Sequence, residues 1–243
     1  MIAYAAIDLG SDRRVERNAD VPMPAASTVK ILISAALWSA VEEGELDAAS
    51  RVAAGETPAP GGGGLLESID AETELTLADL DLLMLAVSDN AATNALLDVV
   101  GFDRVNTLAG RLGLARTAVR RRMMDVEAAG HGDDNTTSAG DMAALMAALG
   151  RPDAIPVAAC RRVLHGLAQS HHTDVIARHL SAPGRVVACK QGMLDTVLHD
   201  VALVEDGGGR VALAVLSSPP AAAEGLARVA ARVHAAVSAV TTP

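Results

Sequence analysis

Local sequence patterns predict an α+β protein: a five-stranded antiparallel sheet with flanking helices, joined to an all-α lobe. Three observations carry this. Short β-favouring runs stand near both ends of the chain, at residues 2–9 and 13–18 and again at 185–189, 197–204 and 210–216. The long stretch between them reads at helical period. An Ala-rich amphipathic tail follows the last strand. Strands at the two ends must share one sheet, with the helical middle inserted as a second lobe. The chain therefore divides into a sheet lobe from residues 1–24 and 172–243 and an all-α lobe from 25–171, with a cleft between them as the place for a site. At 243 residues the chain has ample core for both.

The run 2–9 is followed by the turn Gly10-Ser11-Asp12 and a polar partner at 13–18, which reads as a hairpin. After Pro22 and Pro24 a helix is expected over 28–43, with Ile31, Leu32, Ala35, Leu37 and Trp38 apolar and Gly44 as its stop. Residues 58–64 hold two prolines and four consecutive glycines and read as a loop. Thr76-Leu77-Ala78-Asp79 is a capping box for a helix through Leu80, Leu83, Met84 and Val87 that ends at Ser88. A further helix is expected over 91–100, stopped by Gly101. Residues 123–135 form a polar loop before helices over 137–149 and 157–168. The last two strands are joined by Glu205-Asp206-Gly207-Gly208-Gly209, a hairpin signal. The tail 221–240 carries Glu224, Arg228, Arg232 and His234 and reads as a surface helix.

Half of the residues are apolar, yet only Tyr4, Trp38 and Phe102 are aromatic, so Ala, Leu and Val must pack the core and stacking platforms for bases are nearly absent. A net charge of −10 repels phosphate backbones, and no nucleic-acid partner is expected. No run of 18 uncharged apolar residues exists, so no membrane span is expected. The first residues lack the basic region, apolar run and cleavage site of a secretory signal. The expected compartment of the chain as given is the cytoplasm, or a secreted or periplasmic one if an upstream segment was removed. Cys160 and Cys189 are expected to be free thiols, because Cys189 lies in a Val-rich strand and nothing points to export.

Only two lysines, Lys30 and Lys190, stand against eighteen arginines. An ammonium can lose its proton when desolvated or placed beside another cation, whereas a guanidinium cannot, so positions kept as Lys are candidates for base chemistry. Lys30 closes Ser27-Thr28-Val29-Lys30, an S-x-x-K, and Lys190 opens Lys190-Gln191-Gly192, with Ser88-Asp89-Asn90 between them. Each motif alone has a plain structural reading: a helix start with a solvated lysine, a helix N-cap, and an edge lysine beside a bulge glycine. Their conjunction points to a site. Ser27 opens a helix, so Lys30 lies one turn along on the same face and can take the proton that makes a serine hydroxyl nucleophilic. The same helix start offers free N–H groups to an oxyanion. Ser88 follows Ser27 by 61 residues and Lys190 follows Ser88 by 102, which brings a helix, an inter-helix loop and a strand to one cleft.

In this order and spacing the three motifs resemble those of the penicillin-recognising serine hydrolases, most closely class A β-lactamases. The resemblance covers nearly the whole chain: Ala25 to Lys30 is similar to the family's nucleophile segment, Leu83 to Asn94 to its second motif, and Leu194-Asp195 through His199-Asp200-Val201 to the strand pair after its third. It implies the β-lactamase/DD-peptidase-like fold and an acyl-enzyme mechanism on a small-molecule substrate, with no cofactor, no metal and a monomeric enzyme. It implies Ser27 as nucleophile, Lys30 as general base or proton relay, and Ser88 as the hydroxyl that passes a proton to the leaving nitrogen. It further implies Asn90 as the contact to an acylamino side chain, Lys190 as positive potential beside the substrate carboxylate, and the N–H groups of Ser27 and Met193 as the oxyanion hole. Lys190, Gln191 and Gly192 stand at the family's third motif.

The chain departs from the family in three places. Gln191 replaces the small hydroxyl that binds a β-lactam carboxylate. The family's initial helix is missing, so the C-terminal helix is expected to cover its face of the sheet by itself. The glutamate that activates the deacylating water is expected near Met124; Asp125 and Glu127 are the carboxylates that could substitute, against the reading that both are solvated loop side chains. Deacylation is therefore expected to be slow. Two readings compete with a β-lactamase: a peptidase or esterase like a penicillin-binding protein, and a sensor or binding module that is acylated without turnover.

Overall fold

A computed structural model describes residues 1–53, 60–151 and 153–239. In chain order its elements are β1 (Ile2–Asp8), β2 (Arg14–Arg17), β3 (Met23–Pro24), α1 (Lys30–Glu42), β4 (Arg51–Ala53), β5 (Glu74–Thr76), α2 (Leu77–Ala86), α3 (Asn90–Val100), α4 (Phe102–Arg111), α5 (Val126–Gly130), β6 (Thr136–Thr137), α6 (Ala139–Gly150), α7 (Val157–Ala168), α8 (Ile176–Leu180), β7 (Val186–Leu194), β8 (Val197–Asp206), β9 (Gly209–Ser217) and α9 (Ala223–Ser238). Short 3-10 turns lie at Ala26–Val29 and Leu66–Ser68.

The five expected strands form one antiparallel sheet in the order β2-β1-β9-β8-β7. The N-terminal strand enters beside the last one, pairing Ile2 with Ser217 and Asp8 with Val211. Strand β8 is buried on both faces over its first eight residues. Its residues alternate between two cores: Val201 and Leu203 face the larger one, while Leu198, Ala202 and Val204 face the smaller.

The larger core is built around α1, in which residues 30–40 are all buried, so the helix shows no polar face. Helix α6 brings Met142, Ala143 and Met146 to the same core as Ala3, Ala5 and Leu216 of the sheet. Residues from the middle of the chain therefore cover one sheet face directly. On the other face α9 contributes Leu226, Ala230 and Val233, and α8 adds Ile176, Ala177 and Leu180. This corrects the expectation that the C-terminal helix covers that face by itself.

Other differences are local. The expected helix over 28–43 is a 3-10 turn that runs into α1 at Lys30. Helix α4, not anticipated past Gly101, buries Val105, Leu108 and Ala109 at i, i+3 and i+4. Strand β7 extends through Lys190-Gln191-Gly192 to Leu194 instead of ending at Cys189, because its whole length pairs with β8. The Thr76 cap is a complete capping box with Asp79. Cys160 and Cys189 are free and buried. Of the expected loop over 58–64, residues 58 and 59 lie outside the described residues, as does residue 240 of the expected tail helix.

One buried carboxyl joins α1 to α2. Asp81 is 3 % exposed and accepts the Trp38 indole N–H at 2.8 Å, while its Oδ1 and the Oγ of Ser34 have no hydrogen-bond partner among the described residues. Burial raises its pKa to about 6, with the hydrogen bond from Trp38 opposing the rise. A folded-state pKa above the unfolded value means that the native protein holds the proton longer. The burial cost is thus absent at low pH, builds as pH rises above the ordinary carboxylate range and is complete above about 6. A rise of this size corresponds to about 3 kcal/mol. Asp81→Asn keeps an acceptor for Trp38 and removes the ionisation, so urea denaturation should find it more stable than the parent by about 2–3 kcal/mol at pH 8, with the gain fading towards pH 4.

Candidate active site

Ser27 sits where a strained turn meets α1. The Ala25 N–H donates to Asn135 O at 2.8 Å and Thr28 Oγ1 donates to Ala25 O at 2.7 Å, which pins the turn from both sides. Between them Ala26 takes φ 48°, a left-handed conformation unfavourable for a residue with a Cβ. The Ser27 hydroxyl lines the cleft and makes no hydrogen bond among the described residues. The strain aims an unpartnered hydroxyl into an open site.

Lys30 is fully buried one turn further on. Its Nζ donates to Ser88 O at 2.7 Å, to Ser88 Oγ at 3.2 Å and to Asn90 Oδ1 at 2.8 Å. The ammonium thus reaches across the cleft to the second motif, and its link to Ser27 is not a direct hydrogen bond. Burial, reinforced by the positive charge of Lys190 and opposed by Asp89, holds its pKa well below the usual lysine value. A lysine so placed can exist as a free amine, which is what a base requires.

The second motif is a tight connection between α2 and α3. Ser88 has φ 61°, which turns its carbonyl and hydroxyl together towards Lys30. Asp89 caps α3 by accepting from Ala92 N at 2.9 Å, and its other oxygen accepts from Leu65 N at 2.7 Å and Leu66 N at 2.9 Å. This ties the glycine-rich loop to the helix. A Cβ on Gly64 would fall 2.5 Å from the Asp89 carboxylate, so the close approach needs glycine there. Asn90, expected to face an acylamino side chain, is engaged at both ends: its Oδ1 accepts from Lys30 and its Nδ2 donates to Gly61 O at 2.9 Å.

The third motif comes from the edge strand β7. Lys190, 1 % exposed, donates to Gln191 O at 3.2 Å, and burial lowers its pKa to about 8 against the opposing pull of Asp200. Asp200, also buried, has its pKa raised to about 7 by burial while accepting from the N–H groups of Ile176 and Val201. Gln191 and the well-exposed Met193 line the cleft beside Ser27. A Cβ on Gly192 would lie 3.1 Å from Ala26 Cβ, Ser27 N and Thr28 Cγ2. The missing side chain therefore lets the strand close on the serine turn.

The segment expected to supply a deacylating carboxylate does not bring one to Ser27. Asn94 clamps Met123, accepting its N–H at 2.7 Å and donating to its carbonyl at 3.3 Å. Met123, Met124 and Val126 line the cleft. Asp125 is exposed and caps α5 by accepting from Ala128 N at 3.0 Å, and Glu127 is exposed in the first turn of the same helix. Neither is among the residues that line the cleft around Ser27, and no other carboxylate is among the described residues there. One residue that the motifs did not flag does line it. His172, half-buried, faces the same space as Ser27, Ser88 and Gln191, and burial together with Lys190 keeps its imidazole below the usual pKa. The paired His171-His172 between α7 and α8 was its only signal in the sequence.

An unpartnered serine hydroxyl, a buried amine in contact with a second hydroxyl and a second buried lysine on an edge strand are the groups expected of a penicillin-recognising serine hydrolase. Residues 2–237 match the family model described as the β-lactamase enzyme family, and the chain belongs to that family. The β-lactamase of Sphaerobacter thermophilus DSM 20745 superposes with a TM-score of 0.90 at 27 % identity, over 100 % of this chain and 93 % of that one. The structure described as PBP-A superposes with a TM-score of 0.88 at 25 % identity, over 97 % of this chain and 89 % of its own. An ancestral class A β-lactamase shares the fold at a TM-score of 0.87 and 22 % identity, over 97 % of this chain and 94 % of that one. No curated protein sequence matches.

Gly192→Ala tests the close approach. A displacement of a few tenths of an ångström between β7 and the serine turn should slow acylation of Ser27 by about tenfold, given that 1 Å can cost about 100-fold. Stopped-flow acylation with a chromogenic β-lactam measures it, and thermal denaturation should find Tm within a few degrees of the parent.

Proposed function

We propose that the protein is an acyl-enzyme hydrolase whose Ser27 is acylated by a β-lactam or a related activated amide or ester and is released slowly. The observation that carries the slow step is the cleft lining, which among the described residues holds methionines and valines but no carboxylate beside Ser27.

In the acylation step Ser27 Oγ attacks the substrate carbonyl as its proton moves to the Lys30 amine. The tetrahedral oxyanion takes hydrogen bonds from the N–H groups of Ser27 and Met193. When the C–N bond breaks, the proton passes from Lys30 through the Ser88 hydroxyl to the departing nitrogen; the 3.2 Å contact between Lys30 Nζ and Ser88 Oγ supports this route. Lys190 supplies the positive charge for an anionic group on the substrate. Gln191 and Met193 complete that end of the cleft, and Gly192 permits its closeness. The second step needs a water made nucleophilic by a base. General-base catalysis contributes about 100-fold to 10,000-fold, so a site lacking the base keeps its acyl group for that much longer.

A likeness favours the reading as a penicillin-binding-protein type of peptidase or esterase. A point mutant of PBP-A is described as an acyl-enzyme complex with penicillin G, at a TM-score of 0.88 and 25 % identity to this chain. We place the chain nearer to a slow-release acyl-enzyme than to a fast β-lactamase. A small-molecule substrate, a monomeric state, and a site free of metal and cofactor belong to the same proposal.

Intact-mass spectrometry should find one penicillin added to the parent protein for seconds to minutes, and none added to Ser27→Ala. Label on another residue would remove the acyl-enzyme assignment, and rapid hydrolysis with no adduct would remove the slow release. The pH profile gives a second check. Lys190 with a pKa of about 8 carries its charge below that pH and loses it above. The acylation rate constant for a carboxylate-bearing β-lactam should therefore fall above about pH 8, whereas that for an uncharged aryl ester should show no such fall.

A further inference from the structure

His172 is a titratable side chain in the cleft to which acylation of Ser27 assigns no task. It shares a cavity of about 260 Å³ with Ser27, Ser88, Gln191 and Met193. The segment that carries it is fastened to the motifs on either side. The His171 N–H donates to Ala86 O at 2.9 Å, two residues before Ser88, and the Cys189 thiol, one residue before Lys190, donates to His172 O at 3.7 Å. Ser170 Oγ accepts the His172 N–H at 3.3 Å. These contacts occupy the main chain of His172 and leave its ring free: among the described residues neither ring nitrogen has a hydrogen-bond partner.

Gln191 is placed in the same way. Its carbonyl accepts from Lys190, while its side chain makes no hydrogen bond among the described residues. Two side chains able to donate an N–H therefore stand unpartnered at this end of the cleft. Lys190 itself is 1 % exposed and does not line the cavity, so it reaches an anion there by its field. The charges that act on the imidazole are Lys190 on β7, Lys30 on α1, the neighbouring His171 and, with the opposite sign, the exposed Asp174; the glycine loop and the end of α2 add none. Burial and the cations hold the empty site's ring below its usual pKa. An anion seated beside the ring has the reverse effect and favours the imidazolium.

We infer that His172 is a substrate-binding residue, which together with Gln191 holds the carboxylate of a β-lactam that acylates Ser27, and which holds it most strongly as the imidazolium. The inference rests on the proposed acylation of Ser27 and names the side chains that select an anionic substrate there. It also couples binding to a proton. A carboxylate within hydrogen-bond reach raises the pKa of the ring, so the added affinity is present at low pH and is lost as pH rises towards neutrality.

The probes are benzylpenicillin and its methyl ester, which differ only in the carboxylate. Rapid-quench intact-mass spectrometry gives the second-order rate constant for acylation of Ser27 by each, and the ratio of acid to ester cancels the titration of Lys30 that both share. Between about pH 5 and pH 7 the carboxylate stays ionised and Lys190, with a pKa of about 8, stays mostly charged. Over that range the ratio should fall by about three- to tenfold in the parent. His172→Ala should lower the ratio about tenfold at about pH 5. His172→Gln, which keeps a donor that cannot charge, should lower it less and remove its dependence on pH. The dependence in the parent needs no variant, so it decides the question even where a substitution impairs folding. A ratio that is flat with pH in the parent, or one that His172→Ala leaves unchanged because both rate constants fall together, overturns the inference. So does a His172→Ala protein in which only the lifetime of the adduct grows, because the histidine would then act on water. In each of these cases penicillin still labels Ser27 and the acyl-enzyme reading stands. If p-nitrophenyl acetate labels Ser27 and neither penicillin does, the inference again falls alone; if nothing labels Ser27, both fall.

Discussion

A fully buried ammonium is the constraint around which the cleft is arranged. Taking Lys30 out of water costs several kcal/mol, and the cost is met only by acceptors placed within hydrogen-bond reach. Those acceptors are the Ser88 carbonyl, the Ser88 hydroxyl and the Asn90 side chain. To present the first two together Ser88 takes a left-handed conformation. To present the third, Asn90 turns its amide inward, and its nitrogen then meets the Gly61 carbonyl. The glycine loop, the α2–α3 connection and α1 are thereby fixed to one another through one amine. The same desolvation, with Lys190 on the facing strand, depresses the pKa of that amine. What organises the cleft also favours the free-amine form of Lys30.

The other half of the site follows from an opposite arrangement. The chain between α4 and β6 is held by main-chain contacts through Asn94, Asn135 and Arg121, and it places sulfur and methyl groups against Ser27 instead of a carboxylate. Asp125 stabilises the first turn of α5, where an anion is favoured, and a carboxylate committed there is turned away from the serine. The two walls of one cleft thus have different capacities. The lysine side carries a buried amine and the Ser88 hydroxyl, and the methionine side carries apolar side chains and, among the described residues, no carboxylate.

Much of the fold was legible because it rests on local periodicity. Apolar, β-favouring runs at residues 2–9, 197–204 and 210–216 became β1, β8 and β9, and the Thr76 capping box began α2 as written. The edge position of Lys190 followed from its place after a β-favouring run. Elements with weak local signals were missed. Helix α4 starts at a glycine-phenylalanine junction and carries only three buried apolar residues, and α8 is five residues long; both are ordered by the cores they complete. Strand β7 outran its β-branched run because pairing with β8, rather than propensity, sets its length.

The sequence by itself determined the class of the protein and singled out its candidate site residues. Two lysines in an arginine-rich chain, each inside a short motif with a serine or a glycine, specified Ser27, Lys30, Ser88 and Lys190 without any coordinates. Residue type is informative there, because an amine can give up its proton where a guanidinium cannot and a hydroxyl can both accept and donate one. Tertiary structure decided how these groups are partnered. That Lys30 bonds to Ser88 and Asn90 rather than to Ser27, that Asn90 is occupied by Gly61, that His172 enters the cleft and that Asp125 and Glu127 do not, all depend on distances between segments far apart in the chain. Spacing along a sequence carries no information about such distances until packing fixes the orientation of each side chain, and it is orientation that separates a carboxylate capping a helix from one activating water.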